Sequence, residues 1–203
     1  MEKETIKNIL DFLEKEENKK HKDRDSIIWK LKFDEPITEE ELNVKGNLDL
    51  SYSKITSLPD GLKVGGYLIL NYSSIKSLPG NLKVGGRLDL EGCEDLISLP
   101  RGLELGASLY LENSTNLISL PKGLKVAHNL DLENCTSLKS LPEGLEVGRD
   151  LYLENCTSLT SLPKGLKVEE NLYLIKTPLA KLSDSVLLKM IGSDGYIKGK
   201  IVR

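Results

Sequence analysis

Leu120-Pro121-Lys122-Gly123-Leu124-Lys125-Val126-Ala127-His128-Asn129-Leu130-Asp131-Leu132-Glu133-Asn134-Cys135-Thr136-Ser137-Leu138-Lys139-Ser140 is one complete copy of a unit that fills most of this chain. Its opening pair recurs as Leu58-Pro59, Leu78-Pro79, Leu99-Pro100, Leu141-Pro142 and Leu162-Pro163, at steps of 20 or 21 residues. A fixed period of this length predicts a solenoid, in which small supersecondary units bury a core only against each other. From Leu124 to Leu132, apolar or small residues alternate with mostly polar ones, the pattern of a strand with one buried face. Gly65-Gly66, Gly85-Gly86 and Gly106-Ala107 stand where this copy has Ala127-His128, so a bend or a close backbone approach is expected there. Proline donates no backbone hydrogen bond, so Leu-Pro suits an extended return path outside the ladder.

The predicted core is aliphatic. Paired leucines recur as Leu48/Leu50, Leu68/Leu70, Leu88/Leu90, Leu109/Leu111, Leu130/Leu132, Leu151/Leu153 and Leu172/Leu174, giving seven strand units. A third inward residue follows on each return arm: Ile55, Ile75, Leu96, Leu117, Leu138, Leu159 and Leu179. Each such side chain contributes roughly 1.5–3 kcal/mol on burial, before entropy.

The phrase Leu130-x-Leu132-x-x-Cys135-x-x-Leu138 resembles the core of the leucine-rich repeat. The short period and the Ser-Leu-Pro phrase resemble the bacterial LPX subclass found in secreted effectors. The Cys135-Thr-Ser-Leu-Lys-Ser-Leu-Pro142 segment is also similar to the cysteine-type repeats of plant immune receptors. The likeness covers about residues 38–182 and departs from the LPX pattern in the Gly-Leu-x-Val phrase before the strand. It implies a mainly β repeat solenoid with about seven parallel strand units; a parallel β-helix is the alternative. It also implies that the side chain at the Cys135 position points inward and hydrogen-bonds the neighbouring turn. Cys93, Cys135 and Cys156 hold that place, with Ser53, Ser73, Ser114 and Thr177 in other copies. Effectors of the ubiquitin-ligase type add a large catalytic domain, which the 21 residues after 182 are too few to supply.

Three organisational units are expected: a cap over 1–37, the solenoid over 38–182 and a cap over 183–203. Ile6, Ile9, Leu10 and Leu13 are spaced for an amphipathic helix over 2–18, followed by a charged connector over 18–25. Alternation of Ile27, Trp29, Leu31 and Phe33 predicts a strand closing the first edge, with Trp29 in the core. Ser183, Asp184 and Gly192 frame a short helix, and 196–202 a final strand.

The charged start carries no signal-peptide core, and no apolar run approaches the ~20 residues that span a bilayer. A cytoplasmic protein is expected, or a mature secreted one whose targeting segment was removed. Three cysteines at solenoid spacing argue against a disulfide framework, and two histidines outside any ligand cluster argue against a metal site. Interleaved Asp23 and Asp25 weaken the basic run of the connector as a nucleic-acid or membrane contact. No cofactor fingerprint, Gly-x-Ser-x-Gly elbow or Ser/His/Asp set is present, so no catalytic activity is expected. Four Asn-x-Ser/Thr triplets follow from the repeat consensus and are read as turn residues.

Function is sought instead on the outward side of the strands, in three columns. The first holds Asn47, Tyr67, Arg87, Ser108, Asn129, Asp150 and Asn171. The second holds Asp49, Ile69, Asp89, Tyr110, Asp131, Tyr152 and Tyr173, and the third Ser51, Asn71, Glu91, Glu112, Glu133, Glu154 and Ile175. Eight carboxylates against one arginine give the face a charge of −7 within a chain of net −3, leaving +4 elsewhere. The candidate partner-binding set is Tyr67, Arg87, Asp89, Glu91, Tyr110, Glu112, Asp131, Glu133, Asp150, Tyr152, Glu154 and Tyr173. A monomer that docks a basic protein or peptide is expected. The alternatives are a phage or surface assembly component associating through its ends and, more remotely, a carbohydrate-active enzyme using paired carboxylates.

Overall fold

The computed structural model describes residues 26–203. The helix expected over 2–18 and the connector over 18–25 lie outside the described residues. Each repeat makes one coil containing two short strands. The first strands of the successive coils are β1 (Asn43–Val44), β3 (Lys63–Val64), β5 (Lys83–Val84), β7 (Glu104–Leu105), β9 (Lys125–Val126), β11 (Glu146–Val147), β13 (Lys167–Val168) and β15 (Tyr196–Ile197). The second strands are β2 (Leu48–Asp49), β4 (Leu68–Ile69), β6 (Leu88–Asp89), β8 (Leu109–Tyr110), β10 (Leu130–Asp131), β12 (Leu151–Tyr152), β14 (Leu172–Tyr173) and β16 (Ile201–Val202). The even strands form one eight-stranded parallel sheet in the order β2 to β16, each pair in the register of the repeat. The protein is thus a mainly β parallel solenoid.

The single strand expected from Leu124 to Leu132 is in fact two strands meeting at a bend. At Gly65, Gly85, Gly106 and Gly148 this bend brings successive backbones into near contact. A Cβ on Gly85 would lie 2.3 Å from Gly65 O, and one on Gly106 1.9 Å from Gly85 O. The odd strands accordingly form two four-stranded sheets, β1-β3-β5-β7 and β9-β11-β13-β15. The gap lies where both facing copies depart from Val-Gly, with Leu105 in one and Ala127 in the other.

The core runs the length of the coils. The paired strand leucines, the return-arm Ile55–Leu179 series and the Leu-Pro leucines are all buried. The ladder position is inward as the resemblance implied. Cys93, Cys135 and Cys156 donate to Leu70 O, Leu111 O and Leu132 O of the preceding coil at 3.2, 3.2 and 3.1 Å. Ser114 donates to Leu90 O at 2.9 Å. Thr177 instead donates to Leu174 O of its own coil and accepts from Ala180, capping the 3-10 turn Pro178–Lys181.

The first edge differs from expectation. Ile27–Phe33 is an α-helix (α1), not a strand. Ser26 accepts a hydrogen bond from Trp29 N as N-cap, and Asp34 ends the helix in the left-handed region. Ile27 and Leu31, one helical turn apart, pack on the core. Trp29 is half-buried rather than core, and Phe33 is 57% exposed. At the other end α2 (Asp184–Ile191) buries Leu187 and Ile191, and β15 and β16 add a further coil where one strand was expected. No described helix is long and apolar enough to cross a membrane.

Candidate functional site: the acidic strand face

The even sheet places the second column on its strands, the first just before them and the third just after. A fourth column follows immediately: Tyr52, Tyr72, Gly92, Asn113, Asn134, Asn155 and Lys176, all left-handed with φ between 54° and 63°. This turn returns the chain from the sheet to the core, and explains Asn113, Asn134 and Asn155 of the triplets, since Asn tolerates that region better than other side-chain-bearing residues; Asn71 stands one position earlier, with Tyr72 in the turn.

Much of the polar face serves the frame. Asn47 Oδ1, Asn129 Oδ1, Asp150 Oδ1 and Asn171 Oδ1 each accept the backbone N–H one coil on, at 2.8, 3.4, 2.9 and 2.9 Å. Asp131 Oδ1 accepts from Glu133 N and Asp49 Oδ1 from Ser51 N, both at 3.0 Å. Asp89, expected as an exposed contact, is only 7% exposed and pairs with Arg87 at 3.3 Å. Arg87 in turn lies 5.2 Å from the Tyr67 ring centre and 5.8 Å from that of Tyr110. Asp89, Asp131 and Asp150 are therefore tied up within the protein.

The third column is different. Glu91, Glu112, Glu133 and Glu154 stack on consecutive coils, with strands about 4.8 Å apart. Glu112 Oε2 and Glu154 Oε2 are buried and have no hydrogen-bond partner. Burial first, then the charges of Asp131, Glu91 and Asp89, pushes the Glu112 carboxyl up to about 7. Burial likewise raises Glu154, Asp131 and Asp89. From Lys83 to Lys167 the odd sheets carry their stacked charges with alternating signs, although Lys63 stands opposite Lys83. Lys83 pairs with Glu104 at 2.8 Å, and Glu146 is held between Lys125 at 2.8 Å and Lys167 at 3.1 Å.

Aromatic rings flank the glutamates. Tyr152 and Tyr173 stack with ring centres 4.6 Å apart at one end. Asp131 separates them from Tyr110, so the three tyrosines do not form one strip. Burial and the neighbouring Asp150 push the Tyr152 phenol up to about 12. At the other end Tyr52 and Tyr72 stack at 5.3 Å, and Tyr72 Oη donates to Glu91. Sequence reasoning missed this pair. Its signal was one position beyond the third column, where two tyrosines stand in place of Asn or Gly.

Among the described residues no group of three or more His, Cys, Asp or Glu is arranged to hold a metal ion. The cysteine thiols are buried, and burial pushes all three up, away from thiolate chemistry. The fold thus defines a parallel β-solenoid with one acidic, tyrosine-flanked sheet face. Comparison with models of protein families, with curated proteins and with solved structures finds no match.

Proposed function

We propose that this protein is a non-catalytic binding module of the leucine-rich-repeat type, with its partner a basic polypeptide segment docked on the even-sheet face. The repeat assignment rests on the inward Cys/Ser position and its bonds to the preceding coil. The docking assignment rests on one contrast. From Lys83 to Lys167 the odd sheets alternate their stacked charges and pair them, with only Lys63 and Lys83 repeating a sign, whereas Glu91, Glu112, Glu133 and Glu154 repeat a single sign over four coils with no cation between them among the described residues. Like charges this close cost roughly 1 kcal/mol per pair in water. An external cationic chain would relieve that repulsion and complete the buried carboxylate oxygens, while the flanking tyrosines supply flat amphipathic contact.

Labelled octalysine, followed by fluorescence anisotropy, tests this directly. Glu112→Lys with Glu133→Lys should abolish binding and leave the melting curve intact. Glu104→Lys on the odd sheet should leave binding intact. Equal binding by both proteins would remove the assignment of the face.

A second reading, assembly through the ends, is favoured by the last coil, whose strands β15 and β16 are each paired on one side only. Light scattering over a concentration series decides it: a mass that stays monomeric removes that reading.

A further inference from the structure

Resting on that docking reading, we infer that the face is length-selective: its partner lies lengthwise across the coils and engages four consecutive cations. The column fixes both the direction and the number. Within one coil a ligand running along the strand meets at most two carboxylates, such as Asp131 and Glu133. Running across the coils, it meets Glu91, Glu112, Glu133 and Glu154 in unbroken register. These span three intervals of about 4.8 Å, or roughly 14 Å. An extended chain advances about 3.3 Å per residue, and long lysine stems absorb the difference in pitch.

The column stops abruptly. Beyond Glu91 stand Asn71 and Ser51, and beyond Glu154 stands Ile175, all uncharged. The remaining acidic groups do not lengthen it. Asp89 faces Arg87, Asp131 Oδ1 holds Glu133 N, and Asp150 Oδ1 holds both Asn171 N and Asn171 Nδ2. The two buried carboxylate oxygens with no internal partner, Glu112 Oε2 and Glu154 Oε2, belong to the column itself. Tyrosine pairs stand beside its first and last members, so a polypeptide gains backbone and stem contacts there that amines alone would not.

The test is a length series of labelled oligolysines, from two to eight residues, titrated at pH 8, above the value of about 7 to which burial raises Glu112. Affinity should rise about two- to fivefold per added lysine up to four. Beyond four it should flatten, leaving only the slow gain from extra registers. Ile175→Glu adds a rung and should move the break to five; Glu154→Gln removes one and should move it to three. A cooperative melting transition no lower than the parent's establishes that each variant is folded. An affinity that climbs steadily to eight, or a break that neither variant moves, overturns length selection while leaving docking intact. Spermine binding as tightly as tetralysine overturns the polypeptide as occupant. No binding by any oligolysine removes the docking reading together with this one.

Discussion

At the scale of single residues, the left-handed turn and the glutamate column carry the testable chemistry. Asn155 sits at φ 56°, where a β-branched side chain is strained and glycine is not. Asn155→Val should lower stability by about 1–2 kcal/mol, whereas Asn155→Gly should leave it nearly unchanged, as urea midpoints would show. Glu112 has the opposite kind of cost. Its carboxyl is raised from 4.5 to about 7, so the folded state holds a proton that the unfolded chain has already released over that window. Stability is therefore greatest below pH 4.5 for this group and falls as pH rises towards 7. Glu112→Gln should be more stable than the parent at pH 8 and no more stable at pH 4.5. A parent–variant difference independent of pH would contradict the burial argument. The triplets show how far sequence reasoning reached at this scale. Repetition identified Asn134 and Asn155 as turn residues, yet the cause, a positive φ, was hidden because Tyr52 and Tyr72 share it against their own preference.

Elements were legible in proportion to how far one periodicity governed them. The paired leucines fixed the even sheet, its parallel order and its register. The odd strands were harder to see, because alternation continues across the bend and does not reveal the change of sheet. α1 was misassigned because five of its seven residues are apolar, so that Ile27, Trp29, Leu31 and Phe33 satisfy a period of two while Ile27 and Leu31 satisfy a helical turn. The deciding signals were Ser26 as N-cap and the left-handed Asp34. The bend itself yields a paired prediction. Gly106→Ala places a methyl against the Gly85 carbonyl and should cost about 1–3 kcal/mol. Gly46→Ala meets nothing within 4 Å and should shift the melting temperature little. Equal effects of the two would mean that the close approach at the bend is not what limits this column.

For the whole molecule, each coil pairs only with its neighbours, so coils should be removable as units. Deleting Leu120–Ser140 brings Leu109 opposite Leu151 and leaves Ser114 and Cys156 as successive ladder positions. The shortened protein should keep the far-UV circular dichroism of the parent, with a urea m-value lower by about a tenth, following the surface exposed on unfolding. Its glutamate column would have three members, and the break in the oligolysine series should move from four to three. The backbone contact at the bend has a wider consequence. At Gly65, Gly85, Gly106 and Gly148 a carbonyl of the preceding coil meets glycine, so there the spacing of the coils is a main-chain contact that does not depend on what the even sheet displays, while Ala127 and Glu169 hold the same place in two other coils. Face residues can be exchanged without altering the distances between them. The molecule is in effect a ruled scale with erasable marks, on which a new ligand pattern could be written one coil at a time.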